Sequence, residues 1–307
     1  MKKKSPEKVE IIVPASTSNI GPGFDCLGLA FNLFNKFEFS ITENKNELIV
    51  EGDEKSKLAI EKSTIIFESF RIIYEKLNLT PPFIKVKVIN HIPIGSGLGS
   101  SGTAIISGVV AANIFSGGQL HRQELLKIMS DLDGNHPDNI TPSFYGGLVS
   151  AAITEDGVFY KKYQINPKFK FIFIVPDYEL LTKKARKILP ENIPHKDAVF
   201  NMSRLPLLID AFVDGKNELI RELIKDKLHQ NYRKGLIKYF DEFENISYSN
   251  GADGFFISGA GASMGIICSK NKKIILNEIN SFLEEKGLKY KVLELKPDYQ
   301  GIVVNNI

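Results

Sequence analysis

The stretch from Ile92 to Phe115, IPIGSGLGSSGTAIISGVVAANIF, constrains the fold of this chain more than any other. Ile84, Val86 and Val88 alternate with Lys85 and Lys87 just before it, the period of a strand with one face on a core. Pro93 ends that strand. Gly95, Gly97 and Gly99 lack a Cβ, so their backbone N–H groups can converge on an anion that side chains would keep away. Ser100 and Ser101 follow as expected helix caps. From Thr103 onward the residues are apolar almost all round the helix, which predicts burial on every side. The stretch therefore reads as a strand, an anion cradle and a central helix whose positive end faces the cradle.

A phosphate is the natural anion, and familiar phosphate loops can be compared one by one. Gly97, Gly99 and Gly102 match GxGxxG, but a dinucleotide fold needs a second strand ending in an acidic residue about 20 residues on. A helical pattern, His121 to Leu132, stands there instead. No Gly-Lys-Ser/Thr closes the run, which excludes a Walker loop, and the signatures of protein kinases are missing. A plain glycine turn before a core helix accounts for fewer of these residues than a cradle does.

At 307 residues the chain is long enough for two domains. Its net charge of +3 is small and its basic residues are interspersed with acidic ones, so nucleic-acid binding is not expected. Cys26 and Cys268 form no CxxC pair, which fits a reducing cytoplasm and argues against structural zinc. The basic opening MKKKSPEK precedes an apolar run too short for a signal peptide, and no stretch is long enough to span a membrane.

Along the chain, Val9–Val13, Leu29–Ile41, Leu48–Glu51, Gly147–Ile153 and Phe171–Val175 read as strands. Residues 64–78, Glu124–Leu132, Phe200–Phe212 and Glu218–Leu228 read as helices, and Thr182 is expected to cap another, KKARKIL. Two polar loops stand out. PASTSNIGPGFDCLG carries Asn19 and Asp25, and DLDGNHPDNITPSFYGG crowds Asp131, Asp133, His136, Asp138 and Asn139 together. Either Asp131 or Asp133 could contribute to a magnesium site, and either could equally cap a helix. Asn166 to Lys168 is the expected boundary between domains at 1–166 and 167–307. Near the C-terminus, Gly261, Ser263 and Gly265 match GxSxG, but strand residues follow where a nucleophile elbow needs a helix. Residues 258–263 are instead expected to form a turn that approaches a ligand or the cradle.

Taken in order, these motifs resemble the GHMP kinases, the family of galactokinase, homoserine kinase, mevalonate kinase and phosphomevalonate kinase. Pro93 through Ser101 match its central P-x-x-x-G-L-G-S-S motif. PASTSNIGPGFDCLG, and HPDN followed by TP and GG, are similar to the first and middle motifs of the homoserine kinase branch, and ISGAGAS to the third. The resemblance spans residues 13 to 263. It implies a two-domain α+β protein, with a left-handed βαβ crossover in the N-terminal domain, a ferredoxin-like C-terminal domain and ATP in the cleft between them.

By the same resemblance, the nucleotide is held by Pro93, Ile94, Gly95, Ser96, Gly97, Leu98, Gly99, Ser100, Ser101, Gly102 and Thr103. Mg²⁺ is expected at Ser101 with an acidic side chain. Relatives read E-G-H before P-D-N where this chain reads D-G-N-H, which leaves Asp131 against Asp133 open. L-Homoserine is expected at Asn19, Asp25, His136, Asn139, Arg186 and Arg233, with Asn139, Asn19 and Arg186 serving catalysis. An amino acid suits such a set, because its carboxylate fits arginine and its ammonium fits Asp25. Mevalonate kinase carries an aspartate base at the position that matches Asn139, and an amide cannot take that proton. Transfer without a carboxylate base is therefore expected, with Asp138 facing away from the substrate as its neighbour in an extended loop. Another small-alcohol kinase of the family, or a silent nucleotide-binding sensor, remains an alternative. A homodimer is compatible with this chain.

Overall fold

The structure, a computed structural model, describes residues 6–52 and 55–307, and side chains of its first helix from residue 64 onward. The first five residues of the basic opening lie outside the described residues. The chain begins with β1 (Lys8–Ser18), β2 (Leu27–Thr42), β3 (Glu47–Gly52), α1 (Lys55–Lys76), β4 (Phe83–Asn90) and α2 (Ser100–Phe115). It continues through α3 (Arg122–Leu132), α4 (Pro137–Tyr145), β5 (Leu148–Thr154) and β6 (Gly157–Tyr163). The second half holds β7 (Lys170–Val175), α5 (Thr182–Lys187), α6 (His195–Asp214), α7 (Asn217–Leu223), α8 (Gln230–Arg233) and α9 (Phe240–Ser249). It closes with β8 (Gly254–Ile257), β9 (Met264–Cys268), α10 (Lys272–Glu285), β10 (Lys291–Leu295) and β11 (Val303–Asn306).

Two sheets organise these elements. The first runs β11-β1-β2-β4-β3, with β5 paired to β2 and β6 to β5. Its pairings are antiparallel except β3 with β4, which are parallel and joined by α1. The second sheet is antiparallel and runs β10-β7-β9-β8. In chain order those strands give fourth, first, third, second, with helices after the first and third, which is the ferredoxin-like arrangement.

Alternation decides what each strand buries. In β4, Ile84, Val86 and Val88 are buried while Lys85 and Lys87 lie on the other face, so one side of the first sheet packs and the other stays polar. The packed side meets Ile66, Phe70 and Ile73 of α1 and nearly the whole of α2. A register shift between Pro14 and Ala15 then turns β1 toward a second core. There Ala15, Leu27, Leu29 and Phe31 of the first sheet meet Phe171, Phe173 and Val175 of β7. Ile172 and Ile174 point the other way, into a third core under α9 and α10. From Phe171 to Val175 β7 is apolar because both its faces are covered.

Several boundaries differ from the expected ones. Pro14–Ser18 belong to β1, because the strand continues past the shift with every residue buried. The expected loop at 137–145 is helix α4, started by Pro137 in its first turn, where a missing N–H costs nothing. Gly99, in left-handed conformation, is the N-cap of α2, so Ser100 and Ser101 are its first residues and not its caps. Likewise Thr182 is the first residue of α5, whose cap is Leu181. The helix expected over Glu218–Leu228 stops at Leu223, and α8, α9, α10, β6, β10 and β11 were not anticipated. The expected boundary at 166/167 falls between β6 and β7, but β11 returns to pair with β1 in the first sheet.

Phe31 is fully buried and makes edge-to-face contacts with Phe171 and Phe173, at centroid distances of 5.2 and 5.0 Å. Phe31→Ala is expected to lower the free energy of unfolding by about 3–5 kcal/mol in denaturant titration. A loss under about 1 kcal/mol would mean that the sheets close over the gap and do not depend on this contact.

Candidate active site

The cradle is held by hydrogen bonds from two segments. The Ser263 N–H donates to the Ser96 carbonyl (3.0 Å), the Ser258 hydroxyl to the Gly97 carbonyl (2.7 Å) and the Ser16 N–H to the Leu98 carbonyl (3.2 Å). In a trans peptide the next N–H points opposite its carbonyl, so the amides of Gly97, Leu98 and Gly99 turn away from these braces. Gly97 and Gly99 line a cleft of about 270 Å³ between the sheets. A Cβ at Gly97 (φ +84°) would lie 2.1 Å from the Ser258 carbonyl oxygen, and one at Gly99 (φ +74°) would lie 2.5 Å from Ser16 Oγ. Only glycine fits either place. The turn at 258–263 thus packs on the cradle, with Thr17 Oγ1 2.8 Å from Ser258 Oγ.

Of the residues expected to hold nucleotide, Ile94 through Gly97 and Gly99 through Gly102 line the cleft. Pro93, Leu98 and Thr103 do not. Leu98 points into the core between the sheets, and Thr103 is buried, accepting from Asn35 and donating to the Ser100 carbonyl. Ser101 is exposed on the first turn of α2 and faces the cleft.

The opposite wall is charged. Arg186 on α5 donates to both carboxylate oxygens of Asp25, at 3.0 and 2.9 Å, joining the two halves of the chain. That hydrogen bond is the main cause raising the Arg186 pKa. His136 Nδ1 lies 3.6 Å from Asp25, but burial, with help from Arg186 and Arg233, lowers its pKa. Arg233 is wholly buried, donating from Nε to the Ala185 carbonyl and from Nη1 to the Gly259 carbonyl. Burial and the nearby Arg186 charge bring it down to about 10, still cationic at neutral pH. Its Nη2 has no hydrogen-bond partner among the described residues.

Asn139 and Asp138 stand on the first turn of α4. The Asn139 amide donates to Ser18 Oγ (2.9 Å), and the Ser16 hydroxyl approaches its side-chain oxygen (3.3 Å) and carbonyl (3.1 Å). Asp138 was expected to face away, but on a helical turn both side chains reach the same cleft. Its carboxyl is buried and hydrogen-bonded to Ser18. Burial, reinforced by Asp25, pushes its pKa up to about 7. Asn19 also lines the cleft, and it braces the loop as well, accepting from the Asp25 N–H (2.8 Å) and donating to the Gly259 carbonyl (3.0 Å).

The structure separates the two metal candidates. Asp131 is exposed and paired with Lys127 one turn earlier on α3, at 2.6 and 2.8 Å, outside the cleft. Asp133 follows the end of α3 and faces the cleft, where burial and the Asp138 charge push it up to about 8. Carboxylate and hydroxyl oxygens are ligands that suit Mg²⁺, so Asp133 with Ser101 fits that ion by chemistry. Ser16 and Ser18 were missed. Their signal was a run of hydroxyl side chains inside a strand that must bury them, since buried hydroxyls need partners.

Residues 64–147 match the family described as GHMP kinases N terminal domain, and residues 208–285 match GHMP kinases C terminal. The chain belongs to the GHMP kinase family and has its two-domain fold. Within the family it is similar to a homoserine kinase of Clostridium botulinum (strain Okra / Type B1), 39% identical over 299 residues that cover 97% of this chain and 99% of the relative. Among crystal structures, homoserine kinase from Cytophaga hutchinsonii superposes with a TM-score of 0.85 at 25% identity, covering 97% of this chain and 98% of that one. L. major mevalonate kinase, in complex with R-mevalonate, shares the fold at a TM-score of 0.72 and 13% identity, over 98% of this chain and 99% of that one.

Gly97→Ala would place a side chain at positive φ against the Ser258 carbonyl. It is expected to weaken ATP binding at least about tenfold in calorimetry. Binding within twofold of wild type would mean that the loop does not cradle the nucleotide.

Proposed function

We propose that this protein is an ATP-dependent homoserine kinase, transferring the γ-phosphoryl group of ATP to the side-chain hydroxyl of L-homoserine. The observation that carries this reading is a set of charges matched to a free amino acid, Asp25 with Arg186 and Arg233, beside a glycine cradle at the N-terminus of α2. The homoserine kinase matched over 99% of its own length supports it. Asp25 and Arg186 neutralise each other until a zwitterion arrives. The substrate carboxylate then takes Arg186 and the unpartnered Nη2 of Arg233, while its ammonium takes Asp25 beside His136.

In this reading the cradle amides and the N-terminal turn of α2 bind the ATP phosphates, and Ser101 with Asp133 would hold Mg²⁺. When bound, that ion neutralises charge on the transferring phosphoryl group. Asn139, fixed by Ser16 and Ser18, orients the substrate hydroxyl, and Asn19 keeps Asp25 in place. The hydroxyl proton passes to a γ-phosphate oxygen or to solvent. The division into an ATP-binding unit at 1–166 and a second unit at 167–307 is part of this proposal, with β11 packed on the first. So is a cytoplasmic location, which two free thiols favour. No helix among the described residues is long and apolar enough to cross a membrane.

The deciding experiment is turnover of Mg-ATP with a panel of alcohols. L-Homoserine should be phosphorylated far faster than L-serine, mevalonate or galactose. Release of ADP that is indifferent to homoserine would falsify the assignment.

A second reading of the proton step is favoured by one observation: Asp138 shares the cleft and is poised at about 7, near the ideal for a general base. Without a carboxylate base, Asn139→Ala lowers kcat and Asp138→Asn leaves the shape of the kcat–pH profile unchanged. If Asp138 is the base, kcat rises with pH through about 7 and that limb disappears in Asp138→Asn.

A further inference from the structure

Behind Arg233 lies a buried histidine that the proposed chemistry does not use. His229 is wholly inaccessible to solvent and precedes Arg233 by one turn. Its Nε2 is 3.0 Å from the Gly21 carbonyl, and its Nδ1 is 3.5 Å from Arg233 Nη1. The ring stacks on Phe24 with centroids 5.3 Å apart, and Phe24 also lies against the guanidinium groups of Arg233 (5.2 Å) and Arg186 (5.5 Å). Asp226 fixes the backbone here, its carboxylate accepting the N–H groups of Leu228, His229 and Gln230.

Donor and acceptor rules settle the state of the ring. A carbonyl only accepts, so Nε2 carries the hydrogen and donates to Gly21. A guanidinium only donates, so Nδ1 presents its lone pair to Arg233. A second proton on the ring would set two N–H groups and two positive charges against each other. Burial disfavours the charged ring and outweighs the Asp226 carboxylate, which lies 3.6 Å from Nε2 and favours it.

The same rules count the hydrogens of Arg233. Of its five, Nε–H goes to Ala185, and the two on Nη1 go to Gly259 and His229. The pair on Nη2 has no acceptor among the described residues. Without an acceptor at His229, one Nη1 hydrogen would be buried unpaired, and rotation of the guanidinium to satisfy it would change the direction in which Nη2 points.

We infer that His229 is a positioning residue for substrate recognition: held as the neutral Nε2–H tautomer by Gly21, it sets the plane of Arg233 so that Nη2 meets the substrate carboxylate. This rests on the reading of Arg233 as a carboxylate ligand in the kinase proposed above. The two edges of the ring can be tested separately, since an Asn side chain can replace the acceptor near Nδ1 and a Gln side chain the donor near Nε2.

H229Q should raise the KM for homoserine about tenfold, with the KM for ATP unchanged, because it loses the acceptor. H229N should recover most of that loss although it is the poorer match in size. In an Arg233→Ala background, H229Q should add no further change in homoserine KM. Equal effects of H229Q and H229N, or equal rises in both KM values, would overturn the inference while homoserine turnover by the wild-type enzyme left the proposed function standing. One measurement needs no variant: ¹⁵N spectra of histidine-labelled wild-type protein should show His229 as the Nε2–H tautomer. An Nδ1–H or doubly protonated ring would refute the assignment even if neither variant folds.

Discussion

The close approach of three backbone segments at Gly97 is the constraint on which the rest of this structure depends. The cradle comes from the first sheet, the turn at 258–263 from the second, and the end of β1 fits between them. Serine side chains and N–H groups on the two flanking segments take the cradle carbonyls, so the loop presents amides on its other side. Neither sheet could hold the loop alone. The core shared by Phe31, Phe171 and Phe173 sets the distance between the sheets and so the distance at which Ser258 meets Gly97.

The charges in the cleft follow from the same enclosure. Asp25, Asp133 and Asp138 share it with Arg186 and Arg233, and enclosure penalises any charge left without a partner. Asp25 has its partner in Arg186. Asp133 has weaker relief from that arginine and Asp138 from a hydrogen bond to Ser18, neither enough to offset burial, and their carboxyls are pushed up to about 8 and about 7. A pocket that raises the pKa of two acids favours an arriving positive charge. In the proposed reading there are two such charges, the substrate ammonium and the metal.

Much of this was legible in the sequence. The cradle, the buried helix behind it and the strand before it follow from glycine spacing and apolar period alone, and Asp25, Asn139 and Arg186 were placed by resemblance. What was not legible depended on partners far along the chain. Pro14–Ser18 reads as a loop because its polar residues suit one, yet it is a strand, since Ser16 and Ser18 find partners on α4, more than 100 residues away. Asp138 and Asn139 read as an extended pair, and Pro137 made them helical. Asp131 and Asp133 are equivalent in composition, and only the end of α3 separates them, turning one toward Lys127 and the other toward the cleft.

In the proposed reading the two arginines also divide their work by burial. Arg233 is sealed, with every donor except those on Nη2 committed to protein acceptors, so it has almost no orientation left to lose when a carboxylate binds. Arg186 keeps 36% of its side chain exposed and is held by a carboxylate that can be exchanged for another. A rigid donor contributes directionality, because an approaching carboxylate must accept the geometry it finds. An exchangeable pair contributes selectivity of another kind. A ligand with only a carboxylate would strip Arg186 from Asp25 and leave that aspartate uncompensated, while a ligand with only an amine would do the reverse. A zwitterion satisfies both ends at once, so in the proposed reading the Asp25–Arg186 pair favours free amino acids over the acids and amines that resemble either half.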